Sequence, residues 1–597
     1  MKMSMHRIAR MWPARAGWRR RFSALMLTCA ALTSACTALP QAKEDVHPEG
    51  GSGFTERKLA FAQQYMVSTA NPLATQAGLR MLSAGGSATD AAIAAQLVLA
   101  LVEPQSSGIG GGAFAISFDA GNNRLRSWDG RETAPAAARG DRFMKAGKAI
   151  PFWDAVNSGR SVGTPGLFSM LWLMHGEQGR LPWERLFEPA VSIAEKGFAV
   201  SPRLHTLLEG NQDLRRQPAA AAYFYEETGK ALPVGRVVRN LPFAQVLRAV
   251  AKEGPSAFYE GPVAKSIAAA VASHPVPGDL SLDDLRNYRA KERDTLCMPY
   301  KVYTLCGVPP PSAGPLAVMQ ILGILSHTPI AGLAPDSLAA VHLFSEAGKL
   351  AFADRDFYAA DPDFQDVPAK AMLDPAYLKL RAALISPDHS LGKAPPGDPA
   401  AMLARRGRDN APERPSTTHI VAVDGDRNVV SMTSSIESAF GSKIFVNGFL
   451  LNNQLTDFSL SDVDAQGTPV ANRVEPRKRP RSSMAPMLVL QDGRPVMAIG
   501  SPGGSSIINY VAKTLLGTLD WGLDIQQAIN LPNRGSRNSF TELEKNTSLG
   551  SLAPALREMG HEVREIEFPS GLQGVVITKH GLQGGADPRR EGLAAGR

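Results

Sequence analysis

The stretch TTHIVAVDGDRNVVSMTSSIESAFG, residues 417–441, decides how this chain is read. Thr417–Val423 and Val429–Ser435 are β-rich runs, and Asp424-Gly425-Asp426-Arg427-Asn428 between them is turn chemistry, so the spacing predicts a hairpin. The composition changes abruptly at Thr417. Upstream lies LGKAPPGDPAAMLARRGRDNAPERPS (391–416), charged, Pro-rich and almost without large apolar groups, which reads as an exposed, mobile linker. Downstream, SSMAPMLVLQDGRPVMAIGSPGG (482–504) predicts a second hairpin around Asp492-Gly493. A helix from Ile507 to Leu516 follows it, starting beside Gly503-Gly504.

Farther upstream, Leu73 to Leu82 reads as a helix stopped by Gly85-Gly86. Asp90 then opens a helix to Val102 that is apolar all round except for Gln96, which means a buried helix too short to span a bilayer. SSGIGGGAFAISFD (106–119) is a Gly-rich turn running into a strand. No Lys-Ser/Thr follows the glycines, so they favour close backbone packing over phosphate binding. From about 150 to 400, helical patterns alternate with Pro- and Gly-rich connections. Ser281-Leu-Asp-Asp284 looks like a capping box, and HLFSEAGKLAFADRDFY (342–358) is a helix with Leu343, Ala347, Leu350 and Ala351 on one face. This mixture predicts an α/β (α+β) protein of packed sheets with covering helices.

The 597 residues are 44% hydrophobic and 20% charged, which excludes collagen-like, mucin-like and wholly disordered chains. The formal net charge of +8 would suggest a nucleic-acid partner if it were spread over the fold. Seven bases and no acid lie within residues 1–35, however, and without that segment the balance is 57 bases to 56 acids. A basic start followed by an uncharged run from Phe22 to Pro40 reads as an export signal, and Arg19-Arg20-Arg21-Phe22 admits a twin-arginine reading. Leu32-Thr33-Ser34-Ala35-Cys36 is similar to a bacterial lipobox, with Thr33 where Leu is usual. Lipid attachment at Cys36 and plain cleavage near Ala35 both stand; an uncleaved anchor helix is disfavoured, because the run is short and carries Thr and Ser. Either predicts a periplasmic or secreted protein, touching a membrane only through a lipid. Residues 36–57 then form a tether.

Cys297 and Cys306 lie in CMPYKVYTLC, a strand–turn–strand pattern. In an oxidising compartment a disulfide is favoured there, with two buried thiols as the alternative.

Three features of residues 417–506 are candidates for chemistry: Thr417-Thr418-His419, LLNNQLTDFSL (450–460) and GSPGGSS (500–506). Singly, each also reads as strand, satisfied turn and tight turn. Together with NPLAT, GGSATDAA, GIGGGAF, DGRETAP, KLAFADRDFY, RPRSSMAP and GGADPRREG, in this order over about residues 55–590, the chain resembles the γ-glutamyltransferase (γ-glutamyl transpeptidase) family of N-terminal-nucleophile hydrolases.

The resemblance implies a four-layer αββα sandwich. It implies a precursor cut between Ser416 and Thr417 into a large subunit (58–416 after the tether) and a small catalytic subunit (417–597). Thr417 becomes the nucleophile and its freed α-amino group the base. Ser435, where many members have Thr, orients that amino group. Gly503 and Gly504 match the oxyanion pair. Arg131 with Ser482 and Ser483 matches the groups for a substrate α-carboxylate; Asp457, Gln454 and Glu437 match those for its α-ammonium. Glu437 stands where some members carry Asn. The expected partners are γ-glutamyl compounds such as glutathione, with water or an amine as acceptor. No cofactor, metal or nucleic acid is expected. The stretch between Asp457 and Ser482 is of intermediate length for the family, which leaves an active-site lid open. One rival is a glutaryl (cephalosporin side-chain) acylase on the same fold; another is a non-catalytic exported binding protein.

Overall fold

A computed structural model describes residues 51–401, 406–409, 411 and 416–597. The signal-like segment 1–35, Cys36 and the start of the tether lie outside the described residues. The described end of the tether is tied down: Ser52 and Thr55 donate backbone hydrogen bonds to Arg589 and Pro588.

Two seven-stranded antiparallel sheets form the centre. In chain order their strands are β1 Ala60–Ala62, β2 Met66–Thr69, β3 Gly112–Asp119, β4 Arg124–Gly130, β5 Lys291–Arg293, β6 Leu296–Tyr300, β7 Tyr303–Gly307, β8 Thr417–Val423, β9 Val429–Ser435, β10 Met487–Gln491, β11 Arg494–Gly500, β12 Gln573–Thr578, β13 Gly581–Ala586 and β14 Leu593–Gly596. One sheet runs β1-β13-β12-β11-β10-β7-β6, the other β14-β2-β8-β9-β3-β4-β5. Both predicted hairpins, β8–β9 and β10–β11, are present. Each sheet mixes strands from before and after Ser416, so a cut there would leave two chains sharing both sheets.

Strand alternation builds the layers. Val421 and Val423 of β8 face between the sheets, where they share a core with Ile116, Leu488, Ala498 and Val575. Ile420 and Ala422 face outward, into the core formed with helices α1 (Pro72–Ser83) and α2 (Ala88–Val102). On the other outer face, Met487, Val489 and Ile499 pack with α3 (Gly314–Leu325), α4 (Leu338–Tyr358) and α5 (Ile507–Leu519). The result is the expected αββα sandwich.

Every residue of α2 is buried, as its all-round apolarity requires, and each buried Leu, Ile or Val there contributes about 1.5–3 kcal/mol. Its start lies earlier than Asp90: Ser87 is the N-cap and Asp90 closes the capping box from the third helical position. The Gly-rich turn packs as expected. A Cβ at Gly110 would lie 2.2 Å from the Leu450 carbonyl oxygen, and one at Gly111 2.2 Å from that of Ser435.

One expectation is extended and one is corrected. Helix α4 is buried on nearly all sides, because its polar groups pair internally: Lys349 donates to Glu346 at 2.7 Å, and Arg381 pairs with Asp354 at 3.1 Å. The linker 391–416 is not simply exposed where it is described. Ala394, Asp409 and Ser416 are buried. Asn538 clasps Ala394, accepting from its N–H and donating to its carbonyl, and Gly407 pairs with Val470. Polar anchors do there what large apolar groups do elsewhere, and composition alone does not register them.

Cys297 and Cys306 are directly opposed in the β6–β7 register and joined as a disulfide.

Candidate active site

Thr417 opens β8 and Ser435 closes β9, and the antiparallel register sets them opposite one another. Both are buried, at 3% and 4% exposure. The Ser435 hydroxyl donates to the Ser416 carbonyl at 2.6 Å and accepts from the Glu437 N–H at 2.8 Å. It therefore polarises the carbonyl of the Ser416–Thr417 peptide bond. The Ser416 hydroxyl donates to the Gln105 carbonyl, and Arg590 Nη1 donates to the Thr417 carbonyl at 3.3 Å, so the bond is held from both sides.

The glycine turn is brought here by packing between the sheets. His419 shares the inter-sheet face of β8 with Thr417 and lies against Gly500, where a Cβ would come within 2.2 Å of its ring. Its neutral form is enforced by burial, which pushes its pKa down to about 3. The chain leaving Gly500 then turns through Gly503 and Gly504 into α5. Gly503 has φ +133° and its Cα lies against Tyr510, where a Cβ would be 2.5 Å from the ring, so a side chain is excluded twice over. Backbone N–H groups at such a turn before a helix are suited to a developing negative charge.

One small cleft collects the remaining residues. Its lining includes Thr417, Ser435, Glu437, Arg131, Gln454, Asp457, Ser482, Ser483 and Gly504. Of the residues expected at the site, Gly503 alone is absent from the lining, and it adjoins Gly504. Arg131 and Asp457, assigned to opposite ends of a substrate, pair with each other: Nη2 donates to Asp457 Oδ2 at 2.5 Å. Arg131 also donates to the Pro480 and Arg481 carbonyls, at 3.2 and 2.6 Å, which aims its fork. Gln454 Nε2 donates to Asp457 Oδ2 at 2.9 Å. The Glu437 carboxylate accepts from Ser438 and Asn453. Ser483 accepts from Arg355 Nη2 at 2.5 Å.

Several of these supports carry no role in the sequence reading. Arg355 and Arg590 lie inside quoted motifs, and the motifs were the signal available for them. Asn453 lies in LLNNQLTDFSL. Glu132, next to Arg131, is fully buried with Arg131 Nη1 at 3.8 Å, and burial raises its carboxyl to about 8.

One trio has metal-ligand composition, His342, Glu346 and His561, outside the cleft lining. Its atoms are engaged in a hydrogen-bonded chain. The two rings meet at 2.7 Å, their outer nitrogens contact the Ser386 carbonyl and Thr541, and Glu346 holds Lys349.

Thr417, Arg131 and Gly504, from three separate motifs, line one cleft. The profile of the family Gamma-glutamyltranspeptidase matches residues 74–597. The chain belongs to the γ-glutamyltranspeptidase family. It is 34% identical to a glutathione hydrolase proenzyme of Bacillus subtilis (strain 168), over 89% of this chain and 91% of that one. It is 34% identical to the glutathione hydrolase proenzyme of Escherichia coli (strain K12), over 90% and 92%. Among solved structures, a cephalosporin acylase from Bacillus halodurans superposes with a TM-score of 0.80 at 27% identity, covering 91% of this chain and 97% of that one.

Proposed function

We propose that this γ-glutamyltranspeptidase-family enzyme cuts itself between Ser416 and Thr417 and then cleaves the γ-glutamyl amide of glutathione and related compounds, passing the γ-glutamyl group to water or an amine. The observation that carries this is the single cleft holding Thr417, the Arg131–Asp457 pair and Gly504.

In the first reaction the Thr417 hydroxyl attacks the Ser416 carbonyl carbon, which Ser435 polarises. The peptide nitrogen leaves as the Thr417 α-amino group, and water hydrolyses the resulting ester. An α-amino pKa near 8 then suits a general base at neutral pH. In the second reaction that amino group takes the proton of the Thr417 hydroxyl as the oxygen attacks the γ-carbonyl. Gly503 and Gly504 receive the oxyanion, and the proton passes to the departing amine. Water or a second amine reverses these steps. Arg131, Ser482 and Ser483 hold the substrate α-carboxylate; Asp457, Gln454 and Glu437 hold its ammonium. Substrate entry replaces the Arg131–Asp457 ion pair with one partner for each charge.

The Cys297–Cys306 disulfide supports an oxidising compartment, in keeping with the export-signal reading of residues 1–35. Among the described residues no helix is long and apolar enough to cross a membrane.

Purified after export, the protein should run on a denaturing gel as two fragments ending and beginning at Ser416 and Thr417. Thr417→Ala should remain whole. A wild type that stays a single chain refutes the self-processing step.

The likeness to a cephalosporin acylase favours a second reading, removal of glutaryl groups. Glutaryl lacks the α-ammonium. The buried carboxylates of Asp457 and Glu437 would gain no cation from the substrate in that complex, which favours γ-glutamyl. Hydrolysis of a γ-glutamyl anilide should exceed that of the glutaryl anilide; the reverse order would select the acylase reading.

A further inference from the structure

The turn PPPSAGP (309–315) joins β7 to α3 and lies outside the cleft lining. It nevertheless holds Ser482-Ser483-Met484, a segment that lines the cleft. Ser482 and Ser312 form a parallel bridge. The Ser482 N–H donates to the Pro311 carbonyl at 3.0 Å, and the Ser482 carbonyl accepts from the Ala313 N–H at 2.8 Å. Gly314 closes the contact: a Cβ there would lie 2.5 Å from the Ser483 carbonyl oxygen and 2.6 Å from that of Met484. Backbone contacts of this kind would hold a segment of almost any sequence.

One side-chain contact is more specific. Ser312 is fully buried, and its hydroxyl donates to the Met484 carbonyl at 2.5 Å. The Met484 N–H in turn donates to the Ser482 hydroxyl at 3.1 Å. Met484 is thus held at its carbonyl by Ser312 while its N–H holds Ser482. A serine hydroxyl has one proton to give. That of Ser482 accepts from Met484 and donates to none of the described residues, so its proton is left for a ligand in the cleft. Satisfying a buried carbonyl would by itself explain the Ser312 contact. It would not explain why the residue so fixed is the one that orients a cleft-lining hydroxyl.

We propose that Ser312 is a positioning residue for recognition of the substrate α-carboxylate. It fixes Met484, Met484 takes the acceptor side of the Ser482 hydroxyl, and Ser482 donates its proton to the carboxylate beside Arg131. A hydrogen bond to a carboxylate is strong only when the donor is already aimed, and the chain from Ser312 supplies that aim. Ser312 itself touches no substrate. The inference rests on the γ-glutamyl reading above, and it adds a residue that none of the motifs behind the family resemblance contains.

The test compares hydrolysis of a γ-glutamyl anilide with that of its α-carboxamide, which differs only in the group that Arg131 and Ser482 would hold. The wild type should prefer the acid by about a hundredfold in kcat/KM, about tenfold for each of two charge-assisted hydrogen bonds. Ser312→Ala should lose about tenfold of this preference, through a higher KM for the acid, with use of the amide unchanged. Ser312→Cys, which keeps the shape but offers only a weak donor, should lose a similar share. The preference is a ratio measured on one preparation, so a partly misfolded variant still reports it. Ser482→Ala should show the same loss, and adding Ser312→Ala to it should cost nothing more. Equal use of acid and amide by the wild type overturns the proposal without any variant. So does a full preference retained by the Ser312 variants, an equal loss on both substrates, or losses that add in the double variant. A wild type that cleaves neither anilide rejects the underlying γ-glutamyl reading instead.

Discussion

At the scale of the residue, Ser435 has the most exacting position. Its hydroxyl spans from the Glu437 N–H to the Ser416 carbonyl, and both contacts depend on β8–β9 register. Removing the hydroxyl takes away a donor at the oxygen where charge develops. Ser435→Ala should therefore slow processing by about a hundred- to thousandfold, the usual loss for one such donor. Ser435→Thr should process normally, since it keeps the same hydroxyl. A time course of fragment appearance measures both; unaltered processing in the alanine variant would remove Ser435 from the mechanism. The site residues themselves were legible in sequence because each lies in a short motif of distinctive chemistry. Their supports were not: Asn453 and Arg355 reach the site through contacts that no local pattern displays.

At the scale of the element, the β6–β7 hairpin is the edge of the first sheet, with β7 alone pairing it to the interior strand β10. Its disulfide closes a short loop, so it limits the freedom of the unfolded chain modestly. Cys297→Ser with Cys306→Ser should lower stability by about 2–3 kcal/mol, read as a lower thermal midpoint, while the paired fragments still assemble. Both hairpins after Thr417 and the buried character of α2 were legible, since periodicity of two and all-round apolarity are local properties. The burial of α4 and the anchoring of the pre-cleavage linker were not. A glutamate or aspartate reads as a solvated face unless its partner, such as Lys349 or Arg481, is known to be present.

At the scale of the whole molecule, acid should unfold the protein through its buried histidines. His419 and His561 are both held near a pKa of about 3, His419 by burial and His561 by burial and the nearby Lys349. Unfolded, they titrate near 6.5. Between those values the unfolded chain binds more protons, so each histidine lowers stability by about 1.4 kcal/mol per pH unit as pH falls. Glu132, raised to about 8, has the opposite sign and removes stability as pH rises from its unfolded value of 4.5. Denaturation midpoints measured from pH 7 to 4 should fall, and His419→Gln should flatten the curve. A stability independent of pH over that range would show that these rings are solvated.

The chain's own order determined the glycine turn, the hairpins and the family, and it singled out Thr417 as the proposed nucleophile. Those rest on short segments whose chemistry and periodicity are readable without neighbours. The tertiary structure decided which of them meet. Thr417, Arg131 and Gly504 are far apart in sequence and share a cleft only because two sheets, each mixing strands from both sides of Ser416, stack face to face. It also decided that Arg131 and Asp457 pair, that the linker is held by Asp409 and Arg481, and that Ser312 pairs with Ser482. Ion pairs and cavities are properties of juxtaposition, and juxtaposition is set by packing.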